Sequence, residues 1–267
     1  NPFKKLLAKF SIQTDAKVMA YGISFLGLAY SAYLILSYGV NLFWMDQIEL
    51  IYLLQGKEAG TLGLSHFWMQ HNEHRIFTTR LLFYVLSFLK PFNNSLMSFS
   101  GQFLLFLSSL YITREIIENT KIDLTKGMKV FITFISAALI FSVVHIENTI
   151  LPFHTQWHFS FFGLVAFCCG LARSDNYVKS PLMWTGALVG FLSSPSWMII
   201  MPLTLCSRVY KIFDEKNQRN KDIIKGEFIR FVIFLIVCGL LLFIYFQNWN
   251  SESKLPFYEN PIKFLKF

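Results

Sequence analysis

The chain has 267 residues, of which 54% are hydrophobic and only 15% are charged. An ordinary soluble domain carries about 25% charged residues. This composition therefore excludes an ordinary soluble domain and predicts a membrane protein. The net charge of +8 would suggest nucleic acid as the partner of a soluble protein. In a membrane protein, basic residues between the spans instead mark the cytoplasmic side. We therefore predict an all-α fold, a polytopic transmembrane helical bundle in the lipid bilayer, with no nucleic-acid partner.

The chain opens with a basic segment over residues 1–17, which we place on the cytoplasmic face. The uncharged residues 18–43 form the first predicted span and lead to an outer region over residues 44–95. Two apolar stretches in that region, 47–55 and 76–90, are too short for a span, which needs about 20 residues. We expect them to form juxtamembrane helices that lie in the interface or re-enter the membrane.

Four further spans are predicted over residues 96–113, 130–144, 158–172 and 231–246. Residues 145–157 form a second outer loop, and 181–192 with 197–207 form a tight outer hairpin or a re-entrant pair. Residues 1–246 would be one transmembrane domain, and residues 247–267 would begin an outer C-terminal segment of a longer chain. The topology places 17 of the 24 lysines and arginines on the inner side. The inner segments are 1–17, 114–129, 173–179 and 207–230.

Polar residues are concentrated in two islands that contain all six histidines of the chain. In the first island, His71, His74 and Arg75 are spaced so that they would share one face of a helix. Such a cluster of donors suits a phosphate, which an arginine binds through two parallel hydrogen bonds, and Arg80 extends it. The alternative interpretation is a wet interfacial loop with cations that reach out to water.

The second island contains four candidate substrate-binding residues: His145, Glu147, His154 and His158. The last two lie one helical turn apart and could bind a metal ion together, but the HExxH arrangement of metalloproteases is missing from the chain. No metal site and no cofactor are firmly predicted, and a divalent metal is left as an alternative. The four cysteines lie inside apolar blocks without zinc-finger spacing.

Two carboxylates follow the first span directly. Asp46 stands at its end, and Glu49 comes one helical turn later. Acids at a membrane boundary are functional more often than surface acids, so Asp46 is a candidate catalytic base and Glu49 its natural substitute on the same helix face. A solvated loop acid is the alternative interpretation of Asp46.

These residues, together with their order along the chain, resemble the GT-C glycosyltransferases over roughly residues 18–210. Three stretches carry the resemblance to bacterial members that decorate cell-surface glycans: FWMDQ, HNEHRIFTTRLLF and IENTILPFHTQWHFSFF. The order of elements is similar to that of aminoarabinose-transferase and oligosaccharyltransferase-like folds. The resemblance implies that Asp46 is the catalytic base, that Arg75 and the histidines meet the donor phosphate, and that Glu147 takes the second acidic position, where the family often has Asp.

The resemblance further implies the reaction and its location. A hexosyl or pentosyl group would pass from a polyprenyl-phosphate carrier to a lipid-linked or surface glycan acceptor, such as lipopolysaccharide O-antigen. The site would face the outer side of a bacterial cytoplasmic membrane. The main alternative is a flippase or transporter for lipid-linked glycans, since charges facing a cavity also fit that function. Transporters favour repeated halves with broken helices, and the sequence shows one short-armed hairpin without a matching half. A scaffold that binds a partner leaves the clustered histidines unexplained.

Overall fold

The computed structural model describes residues 16–43, 45–71, 74–90, 92–120, 122–173, 176–195, 197–217 and 221–249. Within these ranges the chain is nearly all helical, and five helical stretches are long and apolar enough to cross a membrane. They are Lys17–Tyr38, Asn94–Asn119, Lys126–Ile150, Pro152–Arg173 and Ile224–Phe246. The predicted all-α bundle is therefore confirmed, and the protein is a multi-pass membrane protein. Most of the basic entry segment, residue 44, residues 72–73 and residues 250–267 lie outside the described residues.

The long helices are α1 (Ala16–Tyr38), α5 (Asn94–Arg114), α6 (Lys126–Ile140), α8 (Thr155–Arg173), α10 (Trp197–Asn217) and α11 (Lys221–Phe246). The short helices are α2 (Ile51–Ala59), α3 (Leu64–Trp68), α4 (Phe77–Leu86), α7 (Ile146–Ile150) and α9 (Pro181–Phe191). A two-stranded hairpin of β1 (Gln70–His71) and β2 (His74–Arg75) separates α3 from α4. The two apolar stretches predicted to be too short for a span correspond to α2 and α4.

One local expectation is wrong. His71, His74 and Arg75 do not share a helix, because β1 and β2 pair antiparallel with His71 opposite His74 and Gln70 opposite Arg75. Contacts of these side chains with distant parts of the chain outweigh their helical spacing. The stretch 207–230, for which the sequence predicted only an inner location, is mostly helical, since α10 continues to Asn217 and α11 begins at Lys221. Its many lysines and arginines are themselves good helix formers.

Close contact between α8 and α9 builds the middle of the bundle. A Cβ atom on Gly163 of α8 would come within 2.6 Å of the Gly190 nitrogen and 2.8 Å of the Gly186 oxygen, both in α9. Glycine is required there because the two backbones touch, as in small-residue helix pairs of membrane proteins. Trp197, the first residue of α10, packs beside Gly190 in the largest buried apolar cluster.

The helices give the bundle two chemically different ends. At the end that we call the basic end, Lys17 pairs with Glu118 at 2.8 Å, Arg114 pairs with the same carboxylate, and Arg173 pairs with Glu115. The opposite end contains the connection from α1 to α2, the hairpin and the start of α8, and we call it the site end. Both polar islands of the sequence lie at the site end.

Candidate functional site

The segment that carries Asp46 is held by the first turn of α5. The Asn94 side-chain amide donates to the backbone oxygens of Val40 and Leu42, at 3.0 and 2.6 Å. Its oxygen accepts from the side chain of Gln47, which is buried. Irregular backbone at membrane depth needs partners of this kind for its polar groups. The exit of α1 is thereby fixed, and the catalytic candidates that follow it are held with it.

Asp46 and Glu49 lie on the 3-10 helix Met45–Leu50. Residues three apart eclipse each other in this helix type, so the two carboxylates share a face, as their spacing predicted. Leu50 and Leu53 are fully buried just behind them and anchor the element in an apolar cluster. The Asp46 side chain is 57% exposed and that of Glu49 is 47% exposed, so both carboxylates reach water.

The imidazole of His71 lies between the two carboxylates. Its Nδ1 donates to Glu49 Oε2 at 2.6 Å, and its Nε2 lies 3.6 Å from Asp46 Oδ2, which is too far for a hydrogen bond. The His71 side chain is buried, so it is held in place while the carboxylates stay accessible. Antiparallel pairing with His74 fixes the strand that carries it.

The second polar island joins this arrangement through residues just before α8. The ring of Phe153 packs edge-on against His71 with 5.1 Å between ring centroids, and His74 approaches His71 at the same distance. Burial and, to a smaller extent, the neighbouring His71 lower the pKa of His74. His154 lies within electrostatic reach of Asp46 and Glu147. The structure therefore brings the two polar islands together at one end of the bundle.

Arg75 binds backbone rather than an open anion site. Its side chain is almost fully buried, with 3% of the residue exposed. Nε donates to the oxygen of Tyr245 at 2.9 Å, Nη2 to the oxygen of Gln247 at 2.6 Å, and Nη1 to the oxygen of Trp68. These are carbonyl groups at the ends of α11 and α3, which helices leave without internal partners.

Arg80 is used in a similar way. It is buried on α4, and Nη1 donates to the backbone oxygens of Met69 and Phe67. Burial lowers the pKa of Arg80 and also that of Arg75, but an arginine remains a cation in either environment. The phosphate-binding role predicted for the two arginines stays a prediction, and their observed contacts do not favour it.

A cavity of about 690 Å³ lies between α5, α6, α8 and α10. Most of its walls are apolar, and His145, Asn148 and His158 supply polar groups to the part near the site end. His158 lies within electrostatic reach of both His145 and His154. His154 in turn lies within electrostatic reach of Asp46. Glu147 and His145 are exposed at this same end.

Two buried glutamines were given no role in the sequence analysis. Gln102 on α5 and Gln156 on α8 are buried inside the bundle, and Gln156 lies against His74. The ring of His158 packs directly on α5, where a Cβ atom on Gly101 would collide with it. Gln102 Nε2 and His158 Nδ1 have no hydrogen-bond partner among the described residues. Polar residues inside apolar spans are a known mark of function, and that signal could have identified Gln102, which lies in the predicted span 96–113.

Among the described residues, no group of three or more His, Cys, Asp or Glu side chains is arranged to hold a metal ion. No protein-family model, curated protein or solved structure matches the chain. The resemblance to the GT-C glycosyltransferases therefore stays a prediction.

Proposed function

We propose that the protein is a membrane glycosyltransferase that uses a polyprenyl-phosphate sugar as its donor. One observation carries the proposal: the two predicted carboxylates converge on one buried histidine at the end of a bundle that also contains an apolar cavity with a few polar lining groups. A lipid-linked substrate has these two parts, an apolar chain and a reacting polar head. The chain would occupy the cavity of about 690 Å³, and the head would lie at Asp46.

Asp46 is the base in this proposal, and Glu49 positions His71. Glu49 accepts a hydrogen bond from His71 at 2.6 Å, whereas Asp46 Oδ2 lies 3.6 Å from the same ring. The exposed carboxylate of Asp46 would accept a proton from the acceptor hydroxyl. As that proton leaves, the hydroxyl oxygen bonds to the anomeric carbon, and the bond from this carbon to the phosphate oxygen breaks. The polyprenyl phosphate leaves as an anion.

The departing phosphate needs hydrogen-bond donors placed where its charge develops. Arg75 and Arg80 donate to backbone, so we assign this role to His145, which lines the cavity, and to His154, which lies within electrostatic reach of Asp46. We propose that the site faces the outer side of the membrane, since the predicted inner segments contain most of the basic residues. The sugar would be a hexose or a pentose, and the acceptor a lipid-linked or surface glycan.

One observation favours the second candidate, a flippase or transporter of lipid-linked glycans. Gln102, Gln156 and His158 are buried inside the bundle, and polar groups at this depth also line translocation paths. A transporter moves its substrate without breaking the bond from sugar to phosphate, so the two functions differ in their products.

The test uses the purified protein in proteoliposomes with a radiolabelled polyprenyl-phosphate hexose as donor and a lipid-linked glycan as acceptor. Transfer releases polyprenyl phosphate, and we expect Asp46→Asn to reduce that release by about 100- to 10,000-fold, the usual contribution of a general base. Glu49→Gln keeps the base and loosens His71, so we expect a smaller loss. Donor binding, measured in parallel, should be preserved in both variants. If the Asp46→Asn protein releases polyprenyl phosphate at the normal rate, the proposed mechanism is wrong. Movement of intact donor across the bilayer, without release, would favour the transporter.

A further inference from the structure

A second cavity lies at the basic end, away from the site. It has a volume of about 480 Å³ and is bordered by α5, α6 and α8. Its walls are mainly apolar and include Ile116, Leu124, Ile132, Val165, Cys168 and Ala172. An apolar space of this kind between spans suits a hydrocarbon chain.

The mouth of this cavity is formed by a widened helical turn. The π-helical segment Glu115–Asn119 continues α5, and Glu115 and Asn119 both line the cavity. Such turns are rare and frequently occur at functional sites. Cations hold the turn from two sides, since Arg173 pairs with Glu115 and Lys129 Nζ donates to the oxygen of Ile117 at 3.1 Å.

Positive charge predominates at this end of the bundle, in the segments next to those that line the cavity. Arg114 precedes the widened turn and is 54% exposed, and Lys126 is exposed at the start of α6. Of the described residues in this region, five are cations and three are carboxylates. The cations are Lys17, Arg114, Lys126, Lys129 and Arg173, and the carboxylates are Glu115, Glu118 and Asp123. An anionic group would therefore be attracted to the mouth.

We propose that the basic end binds an anionic phospholipid, with one acyl chain in the second cavity and the headgroup phosphate near Arg114 and Lys126. Basic pockets between spans favour anionic headgroups in this way. The apolar cavity requires a chain as well as a phosphate, which selects a lipid over a free anion. The proposal does not depend on the proposed function, because it concerns the opposite end of the bundle.

The acyl chain of the lipid would also contact the cavity of about 690 Å³. Ile112 and Leu164 line both cavities, so an acyl chain in the second cavity would lie against the inner end of the first. Occupancy of the basic end would therefore change the space available to a chain that enters from the site end.

The test measures lipid retention by the purified protein with native mass spectrometry, using dioleoyl-phosphatidylglycerol and dioleoyl-phosphatidylcholine. Each cation near a membrane surface favours an anionic lipid by about fivefold. We expect the double variant Arg114→Gln/Lys126→Gln to bind phosphatidylglycerol roughly 25-fold more weakly, with phosphatidylcholine unchanged. Glu118 keeps its contact with Lys17 in this variant, so the end of α5 stays paired. Lys90→Gln, an exposed lysine at the site end, is the matched control and should bind like the wild type.

A second variant tests the cavity itself. Cys168→Trp places a large ring against the cavity wall without changing any charge, and we expect it to weaken retention of phosphatidylglycerol. The proposal is overturned if the double variant keeps its preference for phosphatidylglycerol, or if Lys90→Gln loses that preference equally. It is also overturned if soluble glycerol phosphate displaces the lipid as effectively as phosphatidylglycerol does, since the site would then recognise phosphate alone.

Discussion

Substitution of Arg75 distinguishes clearly between a structural role and a substrate-binding role for this residue. In the structure its guanidinium binds the carbonyl oxygens of Tyr245, Gln247 and Trp68. Arg75→Ala would leave these three groups without the arginine, and a buried polar group without a partner costs about 1–3 kcal/mol. Because relaxation of the structure recovers part of that loss, we expect a total destabilisation of about 2–5 kcal/mol. The residue is 3% exposed, so solvent does not replace the contacts easily.

The assay is thermal unfolding in detergent, together with hydrogen exchange of the backbone amides around residues 245–247. Arg75→Ala should lower the unfolding temperature and speed exchange at that end of α11, with no substrate present. Arg75→Lys should recover only part of the loss, because an ammonium group lacks the planar fork that reaches three carbonyls. Arg114→Ala is the control, since an exposed pair contributes about 0–1 kcal/mol. Normal stability of Arg75→Ala, combined with loss of donor binding, would refute the structural role and restore the phosphate role.

Three further predictions follow from other parts of the molecule. Gly186→Ala should destabilise the protein by about 1–3 kcal/mol, because the new Cβ atom would collide with the backbone of α8. A Cβ atom on Gly239 has no other atom within 4 Å, so Gly239→Ala should leave the unfolding temperature unchanged in the same assay. His74 has a lowered pKa in the folded state, so the unfolded chain binds more protons than the folded chain below about pH 6.5. The free energy of unfolding therefore falls as the pH drops through that value. His74→Gln should reduce this dependence of the unfolding free energy on pH, measured from pH 7.5 to 5. In a background without native cysteines, Asn119→Cys should react with an impermeant reagent only from the cytoplasmic side and Asn148→Cys only from outside, and labelling of both from one side would contradict the topology.

The spans were predictable because length and hydropathy alone determine them. Each of the five predicted spans overlaps one long apolar helix, and Phe77–Leu86 is short, as residues 76–90 suggested. The pairing of Asp46 with Glu49 on one face was predictable as well, since it depends on local spacing. The hairpin of β1 and β2 was not predictable, because its register depends on partners far along the chain. Arg75 and Tyr245 are 170 positions apart, and binding to backbone carbonyls leaves no pattern in the sequence of the partner.

The position of the irregular backbone gives an independent reason to place function at the site end. Helices satisfy their own backbone groups, whereas turns and loops near lipid must find other partners. Around Asp46 the chain uses buried polar side chains for this purpose: Asn94 holds the exit of α1, and Arg75 and Arg80 hold the end of α3. A plain helical hairpin would connect α1 to α5 without these buried groups. Departures from the simplest fold are expected at functional sites, and this one positions two accessible carboxylates around one buried histidine.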